Sequence, residues 1–422
     1  MYVPRMEAKL LGNGTDDTYI SLRKRIDKRE EKVPAICQVC GSNEWWDLPD
    51  PTEGRAVTTA GRIVQESLGK AQCARCGFTQ RIHAQFLGLT DYYEQDYAKY
   101  YDRPGTTQFH VARYRVLAEW MASVLNPLTP ARILDAGCGQ GWAMEAMKAI
   151  YPQALIEGIE PSHCNNKVAR GKGFTVYENR ANEDAIPTAK YDLVYSNNVI
   201  QHVTDAREFV ASLKEMVSDY GCILITCPDG SLPNIEILWA DQNFSFLPAH
   251  LIRLCKDIGF EAISWFASPP SPAVPPAQML LLSKDRKLRE GRRGMDIPVS
   301  KLKEIYRSKC DYLTSFKKID DHICSRTENC ARVFNFGASY WSSILAVYCP
   351  RYWQKVTSCI VDTTADLEGG FLDRPVLQSN TISPENNDAI VLGTSPATHK
   401  SLSARFSISW TNVIAWEEFL PY

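Results

Sequence analysis

The sequence has no long apolar run and no strong net charge. No stretch reaches the roughly 18 apolar residues that a membrane-spanning helix needs, and the formal net charge is -2 over 422 residues. The first residues also lack the basic-then-apolar order of a secretory signal. These absences exclude a whole-protein field that would attract nucleic acid or an anionic membrane. We therefore expect a cytoplasmic protein whose partner is a small molecule.

The length of the chain predicts more than one domain, because 422 residues exceed what a single hydrophobic core normally holds. The hydrophobic share is 45% and the charged share is 23%, which is typical of globular proteins. Changes in composition divide the chain into an N-terminal module at residues 1–90, a core at 91–284 and a C-terminal domain at 295–422. A charged connector, KDRKLREGRRG, separates the last two.

Cysteine is abundant, and its spacing favours a metal site near the N-terminus. In a reducing compartment, the 14 cysteines are better interpreted as thiols or metal ligands than as disulfides. Two C-x-x-C-G pairs, Cys37 with Cys40 and Cys73 with Cys76, can close a tetrahedral, structural Zn²⁺ site. The 32 residues between the pairs exceed the usual ~15 to 20. A redox pair, or thiols with a packing role, is the alternative.

The core alternates strand and helix patterns in the manner of a doubly wound α/β sheet. Six segments read as strands: RILDAG, ALIEGIE, YDLVYS, CILITC, AISWF and QMLLLS. Five tyrosines between residues 92 and 101 precede this core. They could cover a ligand pocket or pack the N-terminal module onto the core. The sequence therefore predicts a Rossmann-like central domain.

A glycine-rich turn follows the first of these strands. The stretch ILDAGCGQGW places Asp135 ahead of Gly137, Gly139 and Gly141. Glycines at this position let a ligand approach the backbone, and they aim the next helix at the carboxyl end of the sheet. The spacing D-x-G-x-G-x-G differs from the dinucleotide pattern G-x-G-x-x-G. A carboxylate ahead of the turn favours a cationic ligand over a pyrophosphate.

Four motifs in register resemble the class I S-adenosylmethionine-dependent methyltransferases over residues 110 to 283. The resemblance implies S-adenosylmethionine as cofactor and assigns a role to each motif. The turn from Asp135 through Gly137, Gly139, Gln140 and Gly141 matches the motif that receives the methionine portion. Glu160, at the end of the second strand, matches the acid that binds the ribose.

Two further motifs of the family match later positions. Asn182 and Asp184 lie in the loop ANEDAIP, which corresponds to the loop that brackets adenine. Asn197 and Asn198 follow the fourth strand and correspond to the segment that faces the sulfonium and the acceptor. Any one of these residues alone could be a turn or a helix cap.

The order of the whole chain is similar to that of the three-domain, zinc-containing sugar C-methyltransferases. The resemblance implies a sugar or nucleotide sugar as the methyl acceptor. Those enzymes carry a Tyr-His-Glu-His type run after the fifth strand, which supplies the base for carbon chemistry. Here the run is Trp239-Ala240-Asp241-Gln242, without either histidine. Removing a proton from carbon needs a positioned base, so the sequence favours an oxygen or nitrogen acceptor.

Asp241 and His202 are then the candidate catalytic bases. His110 and His250 are weaker candidates, and His250 in PAHL reads as a helix-start residue. The sequence leaves three alternatives open. They are C-methylation with a different base, methylation of a metabolite that is not a sugar, and an inactive scaffold that only binds the cofactor.

The C-terminal region carries a second, incomplete Rossmann-like pattern. Strands are expected in ARVFNFGAS, VTSCIVD and DAIVLGTS, with Gly337 after the first and Asp362 at the end of the second. One glycine is a weak dinucleotide signal, so we expect a scaffold or substrate-holding domain without its own cofactor. The oligomeric state does not follow from the sequence.

Overall fold

The fold is described from a computed structural model of the chain. The structure describes residues 35–52, 54–82, 92–97, 106–181, 189–269, 276–284, 297–362 and 370–421. Cys37–Tyr422 form one compact unit, and Met1–Ile36 form another, nearly all of which lies outside the described residues. Within the described ranges, no helix is long and apolar enough to cross a bilayer.

The N-terminal region is built from short antiparallel strands. These are β1 (Trp45–Asp47), β2 (Ala56–Val57), β3 (Ile63–Val64), β4 (Lys70–Cys73) and β5 (Thr79–Arg81). Strands β2 and β3 pair with each other, and the other three join a four-stranded sheet of order β1-β4-β5-β11. The fourth strand, β11 (Phe244–Ser245), comes from the core, so the sheet combines segments that are distant in sequence.

The core contains a seven-stranded sheet of order β12-β13-β10-β9-β6-β7-β8. Its strands are β6 (Arg132–Ala136), β7 (Leu155–Ile159), β8 (Thr175–Tyr177), β9 (Tyr191–Asn197), β10 (Val217–Pro228), β12 (Ala262–Ala267) and β13 (Ala277–Ser283). Strand β13 runs antiparallel between β10 and β12, and the pairs from β10 to β8 are parallel. All six strands expected for the core are present, together with the short β8.

Helices cover both faces of this sheet. They are α1 (Thr106–Leu125), α2 (Trp142–Ile150), α3 (His163–Gly171), α4 (Ala206–Met216) and α5 (Pro248–Asp257). The strand interiors are almost continuously apolar because parallel strands are buried on both sides. This mixed α/β, Rossmann-like fold confirms the predicted class of the core.

The C-terminal region forms a second parallel sheet of order β16-β15-β14-β17-β18. Its strands are β14 (Arg332–Phe336), β15 (Val356–Val361), β16 (Val376–Gln378), β17 (Asp388–Leu392) and β18 (Asn412–Ile414). The accompanying helices are α6 (Val299–Arg326), α7 (Tyr340–Tyr348), α8 (Pro350–Lys355) and α9 (His399–Phe406). The three strands expected here are present, and the edge strands β16 and β18 are additional. Their three-residue length gives too little pattern to detect.

The long helix α6 packs against the N-terminal sheet. Lys309 donates from Nζ to the Thr79 hydroxyl at 2.7 Å, and Gln72 donates from Nε2 to the Leu302 carbonyl at 2.9 Å. All four side chains are buried or nearly so. The C-terminal region is thus fastened to the N-terminal module and not only to its sequence neighbour. The division at residues 90, 284 and 295 stays a prediction.

Candidate cofactor and acceptor pocket

The glycine turn joins β6 to α2 in a conformation that requires glycine. Gly137, Gly139 and Gly141 have φ values of 91°, 52° and 78°, a region that side chains with a Cβ rarely adopt. A Cβ on Gly137 would also collide with Val199. Gly141 caps α2, whose first residue is Trp142. The turn therefore brings open backbone and a helix N-terminus to the carboxyl edge of the sheet.

Asp135 is a buried carboxyl without a hydrogen-bond partner among the described residues. It is 1% exposed, and neither of its side-chain oxygens makes a hydrogen bond. The Tyr195 hydroxyl lies near enough to influence its pKa, but hydrogen-bond geometry is not met and that hydroxyl is also unpaired. Burial raises the pKa of Asp135 to about 8. A buried acid left unpaired at a cleft is typical of a ligand site.

Glu160 lies at the end of β7, beside the glycine turn. Its two carboxylate oxygens accept from the backbone amides of Gly139 at 2.9 Å and Ser162 at 3.0 Å. Burial raises its pKa. Each oxygen keeps a further lone pair, so Glu160 can still accept from the hydroxyl groups of a ribose. The turn, Asp135 and Glu160 therefore fit the nucleoside and methionine portions of S-adenosylmethionine.

These groups open into one pocket at the carboxyl edge of the sheet. Asp135, Gly137, Gly139 and Glu160 line it, whereas Gln140 and Gly141 of the same turn do not. The remaining lining includes side chains from six segments of the chain: Thr59; Tyr93 and Tyr97; Arg113 and Tyr114; Asn197, Asn198, Val199, Gln201 and His202; Ile235, Glu236, Trp239 and Gln242; and Tyr340. The pocket is thus shared by the core, the N-terminal region and the C-terminal region.

The two asparagines at the end of β9 line the pocket. Asn197 accepts from the Thr226 hydroxyl at 2.8 Å through Oδ1, and its buried Nδ2 has no partner among the described residues. Asn198 has a φ of 54°, and its backbone amide donates to the Thr226 carbonyl at 2.9 Å. The predicted adenine residues, Asn182 and Asp184, lie outside the described residues.

His202 is held with one ring nitrogen toward Asp241. Its Nδ1 lies 2.9 Å from the Asp241 carbonyl oxygen and 3.0 Å from the Tyr93 hydroxyl. Because the carbonyl can only accept, a proton on Nδ1 is the tautomer that makes this contact a hydrogen bond. The Tyr93 hydroxyl donates to the same carbonyl at 3.1 Å. In the neutral ring, Nε2 is then unprotonated, and it makes no hydrogen bond with the described residues.

The carboxylate of Asp241 is buried and fully engaged. It accepts at 2.8 Å from the Thr59 amide, and also from the Thr59 hydroxyl and the Tyr92 hydroxyl. Asp241 is 0% exposed and does not line the pocket. It therefore ties the N-terminal region and the tyrosine-rich segment to His202. The tyrosines serve both expected purposes, since Tyr92 packs and Tyr93 lines the pocket.

Glu236 is a pocket residue that the sequence did not single out. It lies on a short 3₁₀ helix, Ile235–Leu238, after β10, and its carboxylate accepts from the side-chain amide of Gln242. Burial raises the pKa of Glu236. The motifs identified in the sequence do not include it, and only an acid in the segment after β10 could have drawn attention to it.

The two weaker histidine candidates have other surroundings. His250 accepts from the Leu247 amide at Nδ1 and donates from Nε2 to the Cys76 carbonyl at 2.7 Å. Both nitrogens are therefore used in fastening the start of α5 to the second cysteine pair. His110 lies buried on α1, with its ring 6.3 Å from that of Trp142. Neither residue lines the pocket.

The four cysteines of the two pairs come together at one point. Their sulfur atoms all lie within 4.8 Å of one another, with Cys37 and Cys76 at 3.7 Å and Cys40 and Cys73 at 3.5 Å. Tetrahedral Zn²⁺ with bonds of ≈ 2.3 Å holds its sulfurs about 3.8 Å apart. The cluster therefore fits a four-thiolate zinc site. All fourteen cysteines are free of disulfides.

The C-terminal sheet repeats the topology but fills the equivalent positions with its own side chains. Asp362 follows β15, where it accepts from both terminal nitrogens of Arg405 at 2.6 and 2.8 Å and from the Ser379 hydroxyl at 2.6 Å. Hydrogen bonding with Arg405 lowers the pKa of Asp362. Near the end of β14, the Asn335 side chain donates to the carbonyl of Gly337, in the turn that follows, at 2.7 Å.

Comparison with known proteins identifies the segment that carries the pocket. Residues 109–264 match the family described as a methyltransferase domain. These residues form a class I methyltransferase domain. The methyltransferase domain supplies the glycine turn, Glu160, His202 and Glu236, whereas Thr59, Tyr93, Tyr97 and Tyr340 are added from outside it.

Individual relatives cover the same part of the chain. A trans-aconitate 2-methyltransferase from Methylobacterium nodulans is 32% identical over 124 residues, which are 29% of this chain and 47% of the relative. A ubiquinone biosynthesis O-methyltransferase from Rhodopseudomonas palustris is 30% identical over 131 residues, 29% of this chain and 51% of the relative. The chain thus spans about half the length of these curated relatives.

A solved structure from Thermotoga maritima is similar to the same region. It is described as an S-adenosylmethionine-dependent methyltransferase, possibly a histamine N-methyltransferase. The identity is 18% and the TM-score is 0.38, with 47% of this chain and 100% of that chain covered.

Proposed function

We propose that the chain is an S-adenosylmethionine-dependent methyltransferase that methylates an oxygen or nitrogen of a sugar or nucleotide sugar. The observation that carries the proposal is the glycine turn beside two buried carboxyls, Asp135 and Glu160, one of which is unpaired. A turn of this geometry with nothing to bind would leave a buried acid uncompensated, which costs free energy. The aromatic pocket wall supports a ring-shaped acceptor.

The chain's own residues would hold the cofactor and align the acceptor. Glu160 would accept from the ribose hydroxyls, Asp135 and the turn would face the methionine portion, and Asn197 and Asn198 would lie toward the reacting centre. When bound, the cofactor supplies a methyl group on a sulfonium, whose C–S bond breaks with its electron pair going to sulfur. Most of the rate would come from alignment in a pocket that excludes water.

His202 is the base in this proposal. The Asp241 carbonyl holds the proton on Nδ1, which leaves the Nε2 lone pair to accept the proton that the acceptor oxygen or nitrogen loses. Asp241 is then a positioning residue, since its carboxylate is consumed by Thr59 and Tyr92. Loss of the base typically costs ~10²- to 10⁴-fold in rate.

The zinc ion belongs to this proposal as a structural element. A closed four-thiolate site leaves no open position for chemistry and contributes free energy of folding. Metal analysis of purified protein should find zinc at a single ion per chain, and Cys73→Ser should lower both metal content and stability. Purified, folded protein without zinc would contradict this part.

The experiment for the activity is methyl transfer to a panel of nucleotide sugars and glycosides, with products read by mass spectrometry. We expect S-adenosylhomocysteine and an O- or N-methylated product, and a slower reaction with His202→Ala. Asp241→Asn should slow the reaction less, with an altered pH profile if it acts through His202. A new methyl group bonded to carbon would contradict the O/N assignment, and binding without turnover would indicate a scaffold.

A further inference from the structure

The pocket lining contains more carboxyl groups than basic side chains. Asp135, Glu160 and Glu236 line it, and among the described lining residues Arg113 is the only lysine or arginine. Asp135 and Glu160 lie with the glycine turn on the cofactor side. Glu236 is on a different element, the segment after β10, together with Trp239 and Gln242. It is therefore the carboxyl left for the second ligand, the methyl acceptor.

The backbone of Glu236 is fixed from two directions. Its amide donates to the side chain of Asn234 at 2.8 Å, which starts the 3₁₀ helix. Its carbonyl accepts from Nζ of Lys70, a nearly buried lysine of β4, at 3.3 Å. These contacts hold the residue at one place in the pocket wall, which pre-organises it for binding.

The carboxyl group itself is half satisfied. Oε2 accepts from the side-chain amide of Gln242, whereas Oε1 makes no hydrogen bond with the described residues. Gln242 therefore orients the group and leaves one oxygen for a ligand. Glu236, His202 and Arg113 line the same pocket, so Glu236 lies in the same compartment as the proposed base. His202, Arg113 and Lys70 all lie close enough to influence Glu236 electrostatically.

We propose that Glu236 selects the methyl acceptor by binding a hydroxyl or amino group on it and by rejecting acceptors that present a carboxylate there. This inference rests on the proposed methyltransferase activity and names the class of acceptor. A carboxylate oxygen can only accept hydrogen bonds, so it binds O–H and N–H donors. A second carboxylate at that place would be repelled at low effective dielectric.

This selectivity differs in kind from that of two relatives, the trans-aconitate 2-methyltransferase and a malonyl-[acyl-carrier protein] O-methyltransferase from Legionella pneumophila that is 27% identical over 123 residues. Trans-aconitate and a malonyl group are carboxylic acids. A pocket for such an acceptor needs cationic side chains, whereas the described lining here has three carboxyls and one arginine. The fold alone would not distinguish the two kinds of pocket.

The test uses two matched sets of acceptors with the full-length protein. Methyl glucopyranoside, glucosamine and glucuronate share a pyranose ring, and benzyl alcohol, benzylamine and benzoate share a phenyl ring. Methyl transfer is read as S-adenosylhomocysteine release for the native protein, Glu236→Gln and the control Glu304→Gln, an exposed residue of α6 paired with Lys301. Gln keeps the shape of the side chain and removes its charge.

We expect the native protein and Glu304→Gln to use the alcohol or the amine of a set and not the carboxylate. Glu236→Gln should lose about tenfold or more in kcat/KM for these donors, while the Kd of S-adenosylmethionine stays unchanged. For Glu236→Gln, the ratio of kcat/KM for the carboxylate to kcat/KM for the alcohol or amine should rise. Equal use of the carboxylate by the native protein, or no change with Glu236→Gln, would overturn the inference.

A binding measurement separates this inference from the proposed activity. If no member of either set is methylated, the activity proposal fails for these acceptors. The same six compounds are then titrated into protein loaded with S-adenosylhomocysteine. Weaker binding of the carboxylates, relieved by Glu236→Gln, would still support the selectivity, and equal or tighter binding of the carboxylates would overturn it.

Discussion

The core sheet and the C-terminal sheet each have an acid directly after their second strand in chain order, β7 and β15. The two acids have opposite surroundings. Glu160 follows β7, and among the described residues its carboxylate accepts only from the backbone amides of Gly139 and Ser162. Burial raises its pKa. Asp362 follows β15 and is held by the guanidinium of Arg405, which lowers its pKa. The first carboxylate is available to a ligand, and the second is neutralised by its own chain.

The turn after β6, the first strand of the core sheet, and the turn after β14, the first strand of the C-terminal sheet, differ in the same way. Near the end of β6, the Asp135 carboxyl has no hydrogen-bond partner among the described residues, and three glycines keep the backbone beside it open. In the C-terminal sheet, Asn335 bonds to Gly337, and a Cβ added to Gly393 would collide with its side chain. Shared topology therefore does not imply a shared ligand, because the partners of a few polar groups decide whether a site is open.

The largest difference in S-adenosylmethionine affinity should come from adding one methyl group to the glycine turn after β6 and, in a second variant, to the turn after β14. Gly137→Ala forces a Cβ onto a φ of 91° and against Val199, so S-adenosylmethionine affinity should fall by about 100-fold or more. In Gly337→Ala, the new Cβ lies 2.8 Å from the Gly393 carbonyl, so stability should drop while affinity is kept. Calorimetric titration of both variants tests this, and equal affinities would contradict the contrast.

Removal of the two acids should give the next largest difference. Glu160→Ala loses charge-assisted hydrogen bonds worth roughly 1.5 to 3 kcal/mol, so the Kd of S-adenosylmethionine should rise about tenfold or more. Asp362→Ala, which removes an acid already paired with Arg405, should leave that Kd unchanged. If the Asp362 variant weakened binding as much, the second sheet would also be a cofactor site.

The affinity for S-adenosylmethionine should depend on pH through Asp135. Its pKa of about 8 in the ligand-free protein means that the carboxyl is mostly protonated at pH 7. A bound cation favours the ionised form, so affinity should rise with pH by at most about tenfold per unit and level off above pH 8. Asp135→Asn should remove this slope, and Asp362→Asn should retain it. If the affinity of Asp135→Asn still rose with pH, Asp135 would not be the group whose ionisation controls binding.

The smallest effect should come from breaking the ion pair in the C-terminal sheet. Arg405 and Asp362 are both partly exposed, so Arg405→Ala should cost less than about 1 kcal/mol at pH 7. Because pairing lowers the pKa of Asp362, its stabilisation is present above the unfolded value and is lost as the pH falls through the folded value. Denaturant unfolding at neutral and acidic pH measures both. A larger loss would mean that the pair also supports the packing of α9.

Local sequence patterns were sufficient to predict most of the fold. Every strand expected in the core sheet and in the C-terminal sheet is present, because strands buried on both faces form apolar runs. The pairing of β11 with β5 was not predictable, since two residues carry no periodicity and the contact joins Phe244 to Gln80. Such long-range pairing is set by tertiary packing and not by propensity.

The same distinction applies to the candidate pocket: residues in sequence motifs could be predicted, and residues placed by long-range contacts could not. The turn, Glu160 and the two asparagines follow strands in a fixed order, so a motif locates them. The surroundings of Asp241 did not follow from sequence, because its partner Thr59 is 182 residues away in the chain. Glu236 was missed for a similar reason, since its orientation depends on Gln242 and its place in the pocket depends on the fold.

Calorimetric titration of the full chain with S-adenosylmethionine tests the central claim most directly, because it counts sites and locates them. The account predicts a single site per chain, which Glu160→Ala weakens and which Asp362→Ala leaves intact. Absence of binding, a second site, or a site that is insensitive to Glu160→Ala while the variant stays folded would contradict it.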